Sequence, residues 1–217
     1  MKTAIVIGAT GLIGNHLTKL LLDDERYQTV KVFVRRSLGL NNPKLDEQIV
    51  DFDKLNDWKN KLTGDELFSC LGTTIKKAGS KDAQYKIDFT YQFETAKAAA
   101  ENGVKNYLLV SSTGANSGSG NFYLRIKGEL EEKISLLPFD KLRIFQPSIL
   151  VGEREEKRAG ESVGIVLGKV LAYLPYLKKY KPIEGKAVAQ AMIKSANSHS
   201  INKIEKYNLD EVANILK

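Results

Sequence analysis

Apolar runs of strand length alternate along this chain with stretches whose apolar residues recur every three or four positions. TAIVIG (3–8) is a short continuous apolar run, the pattern of a strand buried on both faces. Immediately after it, Ile13, Leu17, Leu20 and Leu21 follow helical spacing from Leu12 onward. TVKVFV (29–34), QIV (48–50), ELFSCLG (66–72) and NYLLVSS (106–112) read as the second to fifth strands. Between the last two, YKIDFTYQFETAKAAAENG reads as one long helix that stops at Gly103. KLRIFQPSILVG (141–152) supplies a sixth strand, interrupted near Pro147. Apolar strands alternating with helices predict an α/β fold: a doubly wound parallel sheet covered on both faces.

After Gly152 the pattern loosens. GEREEKRAGE reads as a polar loop, SVGIVLGKVLAYL and EGKAVAQAMIKSANS as helices, and LDEVANILK as the closing segment. No repeat, low-complexity tract or linker interrupts the chain. Residues 1–217 therefore read as a single domain, with about 153–217 contributing a small helical cap and the substrate-side segments.

Composition narrows the class. The 217 residues are 42% hydrophobic and 27% charged, ordinary for a globular protein with a core. The formal net charge of +7 would attract anions, but the lysines are spread along the chain and read as a basic surface, with no nucleic acid expected. One cysteine, Cys70, excludes an internal disulfide and points to a reducing, cytoplasmic compartment. With two histidines, it also argues against a dedicated metal site. No apolar run has the length of a membrane span. MKTAIVIGATGLIG faintly imitates a signal peptide, but its glycines break the apolar stretch early.

The glycines Gly8-x-x-Gly11-x-x-Gly14 follow a strand and open a helix. Gly8 permits the tight turn, Gly11 lets the backbone approach a pyrophosphate, and Gly14 permits close packing of helix on strand. Free N–H groups and the positive helix end then bind phosphate, so the loop reads as a dinucleotide cradle. About twenty residues on, an acidic side chain would bond a ribose 2′-hydroxyl and favour NAD. This chain has Arg35 and Arg36 there, and guanidinium forks suit a 2′-phosphate, so the expected cofactor is NADP.

A second constellation lies in SSTGANSGSGNFYLRIKGELEEKI. A strand ends in Ser111, Ser112 and Thr113, a glycine- and serine-rich loop follows, and Tyr123 and Lys127 share one face of a helix, one turn apart. The spacing alone says little, since Tyr27 and Lys31 repeat it in a strand, where four residues span roughly 13 Å. The context distinguishes the second pair. A free phenol, with a pKa near 10, is a poor base at neutral pH, but an adjacent ammonium stabilises the phenolate. Tyr123 could then exchange a proton with a carbonyl or alcohol oxygen. Ser112, with Thr113 as competitor, would hold the same oxygen.

Together the glycine motif, the Ser111-Ser112-Thr113 strand end and Tyr123-x-x-x-Lys127 resemble the short-chain dehydrogenase/reductase superfamily, in its extended and atypical branch. VDFDKL (50–55), FSCLGTTIKKAG (68–79), SSTGA (111–115), NFYLRIKGELEEKI (121–134) and FDKLRIFQPSILVGEREEKR (139–158) are similar to one subfamily, the Tat-interacting-protein-type oxidoreductases. The likeness covers about residues 3–195. It implies an NAD(P)-binding Rossmann fold in which Thr10, Gly11, Leu12, Ile13 and Gly14 bind pyrophosphate. It also implies that Arg35 and Arg36 take the 2′-phosphate, Asp51 and Phe52 flank the adenine, and Leu71 and Gly72 line the path to the nicotinamide. Tyr123 would be the acid/base and Lys127 would bond the nicotinamide ribose, while Leu150 and Arg158 close over the cofactor. One departure stands out: Gln146 precedes Pro147 where the family often has arginine, which puts the local charge network in question.

The expected function is an NADP-dependent oxidoreductase of a small carbonyl or alcohol, monomeric or homodimeric. The alternative is a non-catalytic NADP(H)-binding regulator acting through protein partners, as in some relatives of this superfamily. A sugar-nucleotide epimerase or dehydratase would need a sizeable substrate domain, and about 65 residues follow Gly152.

Overall fold

The computed structural model describes residues 1–152 and 181–217. Its centre is a seven-stranded parallel sheet. In chain order the strands are β1 (Lys2–Ile7), β2 (Tyr27–Val34), β3 (Leu45–Ile49), β4 (Glu66–Ser69), β5 (Asn106–Val110), β6 (Lys141–Gln146) and, after the two-residue pair β7 (Leu150–Val151) and β8 (Ile183–Glu184), β9 (Ile204–Asn208). The spatial order is β3-β2-β1-β4-β5-β6-β9, all in parallel register. The order reverses between β1 and β4, which opens a crevice at the carboxyl ends of those strands.

Side chains alternate across a strand, so a continuous apolar run serves two cores. Ala4 and Val6 face one core with Leu17 and Leu21 of α1 (Leu12–Asp23) and Val188 and Met192 of the later helix Gly185–Ala196. Ile5 and Ile7 face the other with Phe33, Trp58, Leu67 and Leu109. All four β1 residues are fully buried. Burying each large aliphatic among them stabilises the fold by roughly 1.5–3 kcal/mol.

The stretch read as one long helix is divided. After α2 (Ile75–Ala78) come α3 (Lys81–Tyr85), a π-helical turn over Lys86–Thr90 and α4 (Tyr91–Glu101). The helices α5 (Phe122–Ser135), α6 (Gly185–Ala196) and α7 (Glu211–Asn214) follow. α6 packs on α1, beside the sheet. β9 was missed in the sequence pattern because IEKYN is polar and alternating. It is an edge strand, held by Tyr207 on Phe145 (5.2 Å) and by buried Arg143, whose Nε lies 2.8 Å from Glu205 Oε2. The segment SVGIVLGKVLAYL, read as a cap helix, lies outside the described residues.

Candidate active site

The parallel sheet sends the loops after β1, β4 and β5 to one edge. Gly8 turns with φ +83°, and a Cβ there would stand 2.4 Å from the Cys70 carbonyl carbon, so the β1 and β4 loops touch through backbone. A Cβ at Gly14 would fall 2.1 Å from Gly8 O, which brings α1 hard against the turn. Gly11 is the N-cap of α1, no side chain caps the helix, and its first turn holds no acidic residue. Thr10 and Gly11 are exposed there, Ile13 is buried, and Leu12 packs against Gly152 and Gly185. An uncapped helix N-terminus at the sheet's switch point suits an anion.

Arg35 and Arg36 follow β2 directly and are exposed. Asp51 is exposed too and accepts a bond from Asp53 N (3.0 Å). Phe52 is placed differently from a simple adenine flank: it is buried among Trp58 (5.3 Å) and Tyr91 (5.4 Å). Leu71 is half-buried and Gly72 exposed in the β4 loop; Leu150 pairs with Ile183 in the short β7–β8 ladder. Arg158 lies outside the described residues.

Asn121 caps α5, accepting from Leu124 N (3.2 Å). Tyr123 stands in the first turn, half-buried, and among the described residues its hydroxyl has no hydrogen-bond partner. Lys127, one turn on, is 2% exposed. Its Nζ lies 3.5 Å from Val110 O and 3.6 Å from Asp88 Oδ1. Charge-assisted bonds normally close to about 2.7–2.9 Å. The three ammonium donors are thus poorly supplied with close acceptors among the described residues.

The hydroxyls at the end of β5 separate by partner. Ser111 Oγ is buried and donates to Glu131 Oε1 (2.5 Å). Thr113 Oγ1 donates to Asn208 Oδ1 (2.9 Å) on β9. Ser112 Oγ makes only a 3.4 Å contact to Thr113 O, so it is the one least committed to the fold.

Three features of the site escaped the sequence reading. Asp88, fully buried in the π turn, reaches Lys127. Glu131, one turn beyond Lys127, gathers Ser111, Gln146 Nε2 (2.7 Å) and Lys206 Nζ (3.0 Å). Lys206 supplies from β9 a cation beside Glu131, to which Gln146 brings a neutral donor. Gly128 is the third: a Cβ there would meet Ser117 N at 2.2 Å, so the loop after β5 lies directly on α5. The visible signal for the first two was a polar residue every fourth position on a helix face turned inward: Gln84, Asp88, Gln92, and Tyr123, Lys127, Glu131.

Cys70 follows β4 directly, with the Lys127 charge nearby. Burial pushes its thiol up to about 12, and the nearby Lys127 charge offsets only part of that. Alkylation by iodoacetamide at pH 8 should therefore run at least ~100-fold slower in the folded protein than in denaturant. Comparable rates in the two states would show that the thiol is not so placed.

The family described as NAD(P)H-binding matches residues 8–135, which span the glycine turn, the end of β2 and α5. This chain belongs to that family. The NAD(P)H-binding assignment is joined by curated relatives of similar length. Protein FMP52, mitochondrial, from Candida glabrata is 39% identical over 202 residues, covering 90% of this chain and 85% of the relative. Protein HTATIP2 from Rattus norvegicus is 36% identical over 164 residues, covering 74% and 67%. Among solved structures, a short-chain dehydrogenase/reductase superfamily protein from Agrobacterium tumefaciens with bound NAD superposes with a TM-score of 0.72 at 11% identity, covering 95% of this chain and 77% of that one. At that identity the likeness is one of fold. The NAD(P)H-binding domain thus sits on a Rossmann-type sheet of the kind found in dehydrogenases.

Proposed function

We propose that this protein is an NADP-dependent oxidoreductase that moves a hydride between the nicotinamide and a small carbonyl or alcohol substrate. The observation that carries the reading is the pair on α5: Tyr123, whose hydroxyl has no hydrogen-bond partner among the described residues, one turn before a buried Lys127 whose contacts are long. The residues present fit the cofactor. The uncapped start of α1 would take the pyrophosphate, Arg35 and Arg36 the 2′-phosphate, and Lys127 the ribose beside the nicotinamide. Bound NADPH supplies the hydride, the step no side chain can provide. Ser112 orients the substrate oxygen by donating a hydrogen bond. Tyr123 delivers a proton to that oxygen as the carbonyl is reduced, and takes it back in the reverse direction. Lys127 places positive charge beside the phenolate that remains.

NADPH should raise the melting temperature of the protein more than NADH does, and Arg35→Ala with Arg36→Ala should remove the difference. A charge-assisted bond of about 1.5–3 kcal/mol corresponds to a loss of ~10–100-fold in NADPH affinity. Equal stabilisation by both cofactors would overturn the arginine reading. Oxidation of NADPH over a panel of aldehydes, ketones and quinones then separates the enzyme from the alternative, a cofactor-binding regulator. Tight binding without turnover on the whole panel would favour the regulator.

Among the described residues no helix is long and apolar enough to cross a membrane. The relatives from Candida glabrata and Scheffersomyces stipitis are named mitochondrial, which does not fit the strictly cytoplasmic location expected from the single cysteine.

A further inference from the structure

Three hydroxyls stand in a row after β5, and the fold engages the outer two. Ser111 Oγ donates to Glu131 Oε1 (2.5 Å). Glu131 is buried and is itself held by Lys206 Nζ of β9 (3.0 Å) and by Gln146 Nε2 (2.7 Å). Thr113 Oγ1 donates to Asn208 Oδ1 (2.9 Å), two residues beyond Lys206 on the same face of β9. Among the described residues Ser112 Oγ, between them, has only the 3.4 Å contact to Thr113 O. Both neighbours of Ser112 are therefore tied to the last strand of the sheet, one directly and one through Glu131, while Ser112 is not. Backbone bonds hold Asn208 in this place. Its N–H donates to Glu211 Oε2 (2.8 Å) at the start of α7. The next residue, Leu209, has φ +51°, the one positive φ outside glycine among the described residues. That conformation is unfavourable for a residue with a Cβ and persists only where its surroundings impose it. Here the Leu209 N–H donates to the carbonyl of Gln146 (2.9 Å), the residue paired with Asn208 across the sheet, and the Leu209 side chain is buried.

A hydrogen-bond donor helps a reacting oxygen only where it already points at the place where charge will form. A displacement of about 1 Å can cost ~100-fold in rate. We propose that Asn208 is a positioning residue for Ser112. With Glu131 holding Ser111 on one side, Asn208 holds Thr113 on the other, so the Ser112 hydroxyl is presented in one orientation without being drawn into the fold. The inference rests on the reading of Ser112 as the group that orients the substrate oxygen. Asn208 stands on the edge strand, with β6, β5 and β4 between it and β1, whose end carries the glycine turn. Its removal should therefore act on the rate and leave cofactor binding intact.

The test compares Asn208→Ala, Ser112→Ala and the double variant, each loaded with NADPH and given the carbonyl of the panel that the parent reduces fastest. Single-turnover oxidation of NADPH is followed beside a fluorescence titration and a thermal melt. Ser112→Ala should lower the rate by ~10²-fold. Asn208→Ala should lower it by ~10-fold or more, with NADPH affinity within about twofold of the parent. The double variant should be no slower than Ser112→Ala alone, because nothing is left to position. An equal loss from Asn208→Ala with and without Ser112 would make its role merely structural and overturn the proposal, as would an unchanged rate in Asn208→Ala. An unchanged rate in Ser112→Ala, or no turnover by the parent on the whole panel, would instead overturn the reading of the site on which it rests. Should Asn208→Ala not fold, Thr113→Val removes the donor of the same bond. A loss seen only where Ser112 is present supports the proposal, and the same loss in both backgrounds counts against it.

Discussion

Tyr123→Phe should lower the rate of carbonyl reduction by ~10²–10⁴ while leaving NADPH affinity within about twofold of the parent. The factor is that of a positioned general acid removed from a proton transfer. The split between rate and affinity follows from position. Tyr123 lies in the first turn of α5, half-buried, and its hydroxyl has no hydrogen-bond partner among the described residues. Removing that oxygen therefore breaks no bond of the described fold, and the ring stays. Stability should change by less than ~0.5 kcal/mol. Single-turnover oxidation of bound NADPH, run beside a fluorescence titration and a thermal melt, measures all three quantities. Unchanged turnover would remove Tyr123 from its role. Loss of affinity in step with rate would make it a binding group instead.

Gly14→Ala should have the largest effect on the cofactor cradle. Its new Cβ would fall 2.1 Å from Gly8 O, 2.7 Å from Gly8 C and 3.0 Å from Ala9 Cα. All three are backbone atoms, so no flexible side chain can give way. α1 must move off the turn, which loosens Leu17 and Leu21 from α6 and withdraws the N–H groups of the helix start. Overpacking of this kind costs about 3 kcal/mol. In a chain of this size that lowers Tm by roughly 6–12 °C, and NADPH should no longer raise it. Gly120→Ala is the control: nothing stands within 4 Å of its Cβ position. It should change stability by less than ~0.5 kcal/mol. Equal melting curves for the two variants would contradict the packing argument.

Both predictions start from motifs that could be read in the chain, because each motif is a local pattern with a fixed consequence. TAIVIG followed by three glycines gives a buried strand, a turn and a helix; Tyr123 and Lys127 on a helix share a face. Five apolar strands were legible for the same reason, while β3, the largely polar LDEQI at Leu45–Ile49, was visible only through its end as QIV (48–50). β9 was not: Ile204 is 40% exposed, and the residues that hold the strand, Tyr207 and Glu205, act through Phe145 and Arg143, some sixty residues away. The π turn was also hidden. Its one-residue change of register leaves the composition helical, and only the burial of Asp88 reveals it. The partners of Glu131 come from β5, β6 and β9, so no spacing along the chain could announce that cluster. The pairing of Lys127 with Asp88 belongs to the same class, since 39 positions separate the two.

An active cradle presents its cofactor for chemistry. NADPH carrying deuterium at C4 on the transferring face tests it directly, with the alcohol products from the carbonyl panel analysed by mass spectrometry. Deuterium should appear on the carbinol carbon, one per NADPH consumed, and its rate of appearance should fall by ~10²–10⁴ for Tyr123→Phe. NADPH that binds tightly and is recovered with its label intact from every carbonyl would contradict it.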